Sequence, residues 1–74
     1  MKLPSQRIVE ELRRQYPFGT RVELVHMDDR QAPPPGTEST VIGVDDIGSL
    51  LIRWDNGSGL NVVYGEDIVR IISL

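Results

Sequence analysis

Two hydrophobic periods run along this chain, a helical one near its start and a strictly alternating one through most of the remainder. Ile8, Val9, Leu12 and Tyr16 fall close to the i, i+4, i+8 spacing that collects apolar side chains on one helix face. Ser5 is a good N-cap, Glu10 and Glu11 precede Arg13 and Arg14 in the order the helix dipole favours, and Pro17 pushes Tyr16 out of helical geometry. The spacing predicts a helix over 5–15. A lone helix below about 12–15 residues is marginal in water, so its apolar stripe must dock on the rest of the chain or on a partner.

After a turn at Phe18-Gly19-Thr20, Arg21 and Glu23 alternate with Val22 and Leu24, which predicts a half-buried strand over 20–27. The segment from Asp28 to Gly36 carries Pro33, Pro34 and Pro35, which cannot donate to a ladder and favour an extended polyproline conformation. It reads as a long, stiffened loop. Residues 37–44 are rich in β-branched side chains, with Gly43 suited to a bulge, and form the second expected strand. A turn over 45–49 leads to a third strand over 50–54. Asp55-Asn56-Gly57-Ser58 is the strongest hairpin signal in the chain.

The register of that hairpin follows from which faces must match. A two-residue Asn56-Gly57 loop sets Ile52 opposite Asn61 and wastes the apolar face. A three-residue loop with Gly57 left-handed sets Trp54 opposite Ser58, Ile52 opposite Leu60 and Leu50 opposite Val62, and is the expected register. A tight turn at Gly65-Glu66-Asp67, of 3₁₀ type, precedes a fifth strand over 68–72. The order of connections (long loop, short turn, tight hairpin, one helical turn) is that of SH3-like barrels. The expectation is a mainly β single domain over 1–74, with a short N-terminal helix at 5–15 and a small five-stranded SH3-like barrel at 18–74.

With 74 residues there is room for one core only, and with no cysteine and a single histidine, His26, no disulfide or metal staple is on offer. Packing has to supply stability. The missing cysteines fit a reducing compartment, and the N-terminus has no apolar core of signal-peptide length, so a cytoplasmic location is the default. The net charge of −3 is unevenly spread: residues 1–20 carry four cations against Glu10 and Glu11, and the rest carries four arginines against nine acids. An acidic body repels phosphate, which disfavours nucleic acid as a partner and leaves any such role to the basic helix.

Tyr16-Pro17-Phe18-Gly19-Thr20-Arg21-Val22, Met27-Asp28-Asp29, the Ala32-to-Glu38 segment, Val44-Asp45-Asp46-Ile47-Gly48-Ser49 and Trp54-Asp55-Asn56-Gly57 together resemble an uncharacterised bacterial domain family of unknown function. That family is associated with Gram-positive bacteria, their phages and their conjugative elements. The resemblance covers about residues 16–70 and implies an SH3-like fold without an established activity, ligand or catalytic residue. The hairpin Ile52-Arg53-Trp54-Asp55-Asn56-Gly57 also resembles that of small SH3-like modules in some eukaryotic ubiquitin ligases.

Candidate chemistry is sparse. The acidic pairs Asp28-Asp29, Asp45-Asp46 and Glu66-Asp67 lack calcium-loop spacing and suit turns, where aspartates bond the backbone. His26 reads as a strand surface residue. No nucleophile motif, phosphate loop or metal-ligand spacing is present, so neither an enzyme nor a cofactor is expected. The expected role is a non-catalytic protein-interaction module binding an unidentified protein through Pro33, Pro34, Pro35 and Tyr64. Trp54, at the hairpin end of its strand, reads as core or hairpin clasp rather than as a groove wall. A nucleic-acid accessory domain using Arg7, Arg13, Arg14 and Arg21 is the alternative, and a self-associating structural protein the third reading; no membrane partner is expected.

Overall fold

A computed structural model describes residues 5–57 and 59–73. The chain forms a helix α1 (Gln6–Gln15) and five strands, β1 (Arg21–His26), β2 (Glu38–Val44), β3 (Ser49–Trp54), β4 (Val62–Val63) and β5 (Ile68–Ser73). The helix begins where its cap predicts: the Ser5 side chain accepts the Ile8 N–H at 3.3 Å, and Arg13 and Arg14 occupy its last turn. It ends at Tyr16, whose N–H still donates to the Leu12 carbonyl, before Pro17.

All strands pair antiparallel in one sheet of order β4-β3-β2-β1-β5. The mainly β class, the strand count and the preceding helix agree with the sequence reading. The sheet is not closed by hydrogen bonds into a barrel: β4 and β5 are its two edges. β4 has two residues, cut short by the turn at Gly65, and offers almost no ladder for a fifth strand to join. The expected bulge lies between Val41 and Gly43, where the β2–β3 register shifts.

Leu50 stands opposite Val62, as the three-residue loop requires, and Gly57 has a φ of +87°, the left-handed conformation that glycine adopts without a Cβ clash. The Gly57 N–H closes the turn onto the Trp54 carbonyl at 3.0 Å. Ile52 and Leu60 lie on the same register line but beyond the two paired residues of the ladder, and the expected Trp54–Ser58 pairing lies outside the described residues.

The proline segment is a loop, as expected, and it ends in a tight turn that the sequence reading did not place. The Thr37 N–H donates to the Pro34 carbonyl at 3.1 Å, with Pro35 and Gly36 at the corner and Gly36 at φ +91°, so Pro34–Thr37 is a type II turn. The Gly36 N–H donates to the Leu24 carbonyl and the Leu24 N–H to the Thr37 carbonyl, which carries the β1–β2 pairing into the loop. The first corner position of a type II turn suits proline and lies close to polyproline dihedrals, and the second requires the positive φ that Gly36 supplies. Pro33 is buried, while Pro34 and Pro35 are exposed.

Val22, Leu24, Val41, Leu50, Ile52, Trp54 and Val62 make the core. Trp54 is 2% exposed and its indole N–H donates to the Leu60 carbonyl at 2.6 Å, so it is both core and clasp. Val9 and Leu12 are buried too, so the helix docks on its own chain. Arg13 fastens it, donating to the Val44 carbonyl and to Asp46 Oδ1 at 2.8 Å, where the chain turns from β2 to β3.

Candidate functional site

Buried and half-exposed apolar side chains meet where the sheet fails to close. Leu12 and Tyr16 from α1, Leu50 and Val62 from β3 and β4, and Tyr64 and Ile68 from either side of the β4–β5 turn line an apolar groove of about 310 Å³. The helix stripe places Leu12 and Tyr16 four residues apart on one face, and the Gly65 turn, closed by bonds from Glu66 and Asp67 N–H to the Val63 carbonyl, sets Tyr64 at the rim. Tyr64 is 49% exposed and Ile68 54%. A rim tyrosine offers a large apolar body with a polar tip, the type of side chain that anchors protein contacts.

A second hollow, of about 410 Å³, lies beyond the same turn and is walled by Met27, Leu60, Asn61 and Val63 together with carboxylates of the proline loop and of the turns. Asp67 lines both hollows. Its Oδ2 accepts the Val63 N–H at 2.8 Å, and Asp45 Oδ1 accepts from Ile47 and Ser49, so both aspartates brace turns as their sequence positions suggest. Among the described residues no three acidic, histidine or cysteine side chains are arranged to hold a metal ion.

The four expected partner-binding residues separate. Tyr64 stands at the apolar groove, while none of the three prolines lines either hollow; the proline loop contributes Asp28 and Asp29 to the second hollow through its first residues. His26 is exposed on β1. Leu12, Tyr16 and Ile68 are groove residues that sequence reasoning did not single out as a site, although Leu12 and Tyr16 belong to the stripe already marked as needing a docking partner.

Three of the four arginines considered for phosphate contact are engaged within the chain. Arg7 pairs with Glu11, Arg13 with Asp46, and Arg21 with Asp55 and Glu38. Arg21 holds both oxygens of Asp55 at 2.9 and 2.7 Å and reaches Thr40 and Glu38 as well, tying the tip of the β3–β4 hairpin across β2 to β1. Glu23 and Glu38 stand directly opposite one another, a pairing that would repel. Arg70 from β5 takes Glu23 while Arg21 takes Glu38. Residues 34 positions apart carry no local signal of such a clasp.

The hydrogen bonds from the Arg21 guanidinium, reinforced by its charge, hold the Asp55 carboxyl below the usual carboxylate range. A carboxylate with a depressed folded pKa contributes stability that is present above its unfolded pKa of about 3.9 and is lost as pH falls toward the folded value. Urea midpoints measured between neutral pH and pH about 3 should therefore fall more steeply for the wild type than for Asp55→Asn. Equal slopes would mean that the clasp is silent in solution.

No helix among the described residues is long and apolar enough to cross a membrane. Comparison with curated proteins returned no match, and comparison with solved structures returned none either. One family model does match, over residues 5–72, which takes in α1, β1 to β4, all of β5 except Ser73, the groove and the Arg21 clasp. The chain belongs to the family described as Domain of unknown function (DUF4314).

Proposed function

We propose that this domain is a non-catalytic protein-interaction module that takes a partner at the groove rimmed by Tyr64. One observation carries the reading: an apolar groove left open at the unclosed side of the sheet, with Tyr64 and Ile68 half exposed beside a small, otherwise well-covered core. Burying such a rim against a partner removes apolar area from water at about 25 cal/mol per Å². The exposed Pro34-Pro35 tip, fixed by its own turn and by buried Pro33, supplies a rigid second contact that loses little entropy on binding. The connection order supports an SH3-like description of the fold, and the family resemblance supports a setting in bacterial mobile elements and phages.

The test is affinity capture from cells of the native host with the wild type, Tyr64→Ala and Pro34→Ala, each first shown to be folded by circular dichroism. Tyr64→Ala should reduce recovery of the partner about tenfold, in line with loss of an interface anchor, and Pro34→Ala should reduce it less. Unchanged recovery with both variants overturns this surface.

A further inference from the structure

Charge next to the groove selects the chemistry of what enters it. Five carboxylates of the chain are held in ion pairs, namely Glu11, Glu23, Glu38, Asp46 and Asp55. Among the described residues no ion pair holds the other six: Glu10 lies on the helix, and Asp28, Asp29, Asp45, Glu66 and Asp67 all line the second hollow. No lysine or arginine is among the described residues lining it; Arg30, which follows Asp29 in sequence, is not one of its walls. The backbone bonds to Asp29, Asp45 and Asp67 orient those carboxylates without neutralising them, and the carboxylates of Asp28 and Glu66 hold no bond at all among the described residues. Among the described residues, the carboxylates without an ion pair are thus concentrated at one edge of the apolar groove, across the single turn Tyr64–Asp67.

We propose that the groove receives an extended protein segment that sets an apolar side chain among Tyr16, Tyr64 and Ile68 and, across that turn, a lysine or arginine over Asp28 and Glu66. This rests on the interaction-module reading and adds the partner's sign and layout to it. Complementary charge favours such a segment twice, by steering its approach and by relieving repulsion among carboxylates that hold no ion pair among the described residues. Nucleic acid and anionic membrane surfaces bring the wrong sign to the same edge.

The experiment is selection of random dodecapeptides displayed on phage against the folded wild-type domain, followed by fluorescence anisotropy with the enriched peptides. Enriched peptides should carry lysine or arginine near an apolar residue. They should bind more weakly as salt is raised through the range where the Debye length shrinks below about 10 Å. The double variant Asp28→Asn, Glu66→Gln removes two carboxylates that hold no structural bond, and should weaken binding about tenfold, while Tyr64→Ala should weaken it as well. Enriched peptides that lack basic residues, need Tyr64 and bind the double variant as tightly as the wild type would overturn the proposed partner chemistry and leave the groove reading standing. No enrichment, or binding indifferent to Tyr64→Ala, would overturn both.

Discussion

Replacing Trp54 with alanine is expected to cost about 3–5 kcal/mol, the range for emptying a buried large aromatic site. A domain of this length has roughly 0.05–0.15 kcal/mol of stability per residue to lose, so Trp54→Ala should be mostly unfolded at 25 °C or melt well below the wild type. Two contributions add at this position. The ring is 2% exposed, at the end of β3, and its indole N–H donates to the Leu60 carbonyl across the hairpin. Trp54→Phe separates them, since it keeps an aromatic body and surrenders the hydrogen bond, with a smaller expected loss of about 1–2 kcal/mol. Because Trp54 is the only tryptophan, unfolding of both variants has to be followed by far-ultraviolet circular dichroism. A Trp54→Ala midpoint close to that of the wild type would show that the clasp is not part of the stabilising core.

Leu12→Ala carries the second largest expected effect, about 2–5 kcal/mol. Leu12 is one of two buried residues by which α1 docks, and a ten-residue helix does not persist without docking. Trp54 fluorescence reports the β core and far-ultraviolet ellipticity reports the helix, so urea titrations by both probes show how the two are linked. If helix and sheet form one cooperative unit, both transitions move together to lower urea. Loss of ellipticity ahead of the fluorescence change would make the helix a separate unit, and no shift in either would contradict the docking.

Elements whose signals are local were legible in the sequence. The Ser5 cap, the Pro17 stop, the Gly43 bulge and the left-handed Gly57 are each decided by a few adjacent residues, and the hairpin register followed from matching Leu50 to Val62. The turn that ends the proline loop was not placed, although its signal is local: Pro35-Gly36 fits the two corner positions of a type II turn. Barrel closure was expected from the order of connections, which does not report how many ladder bonds the last strands make. Two paired residues in β4 leave the sheet open. The groove was half visible, because Tyr64 stood out beside its turn. Its other walls come from α1 and β5, which meet only after folding. The Arg21 clasp had no sequence signal for the same reason.

The groove is built jointly by the helix and the sheet, and that makes its occupancy a reporter on whether the helix is docked. Any molecule that binds there binds only chains whose helix is docked, so by mass action it raises the free energy of helix release by RT ln(1 + [L]/Kd). Slowed amide exchange in Val9 and Leu12, the buried residues of the helix, would then register binding at Tyr64, and a variant that loosens the helix would lower affinity even where the groove residues themselves are unchanged. The ten residues of α1 thereby act as a thermodynamic gauge of whether the site is filled.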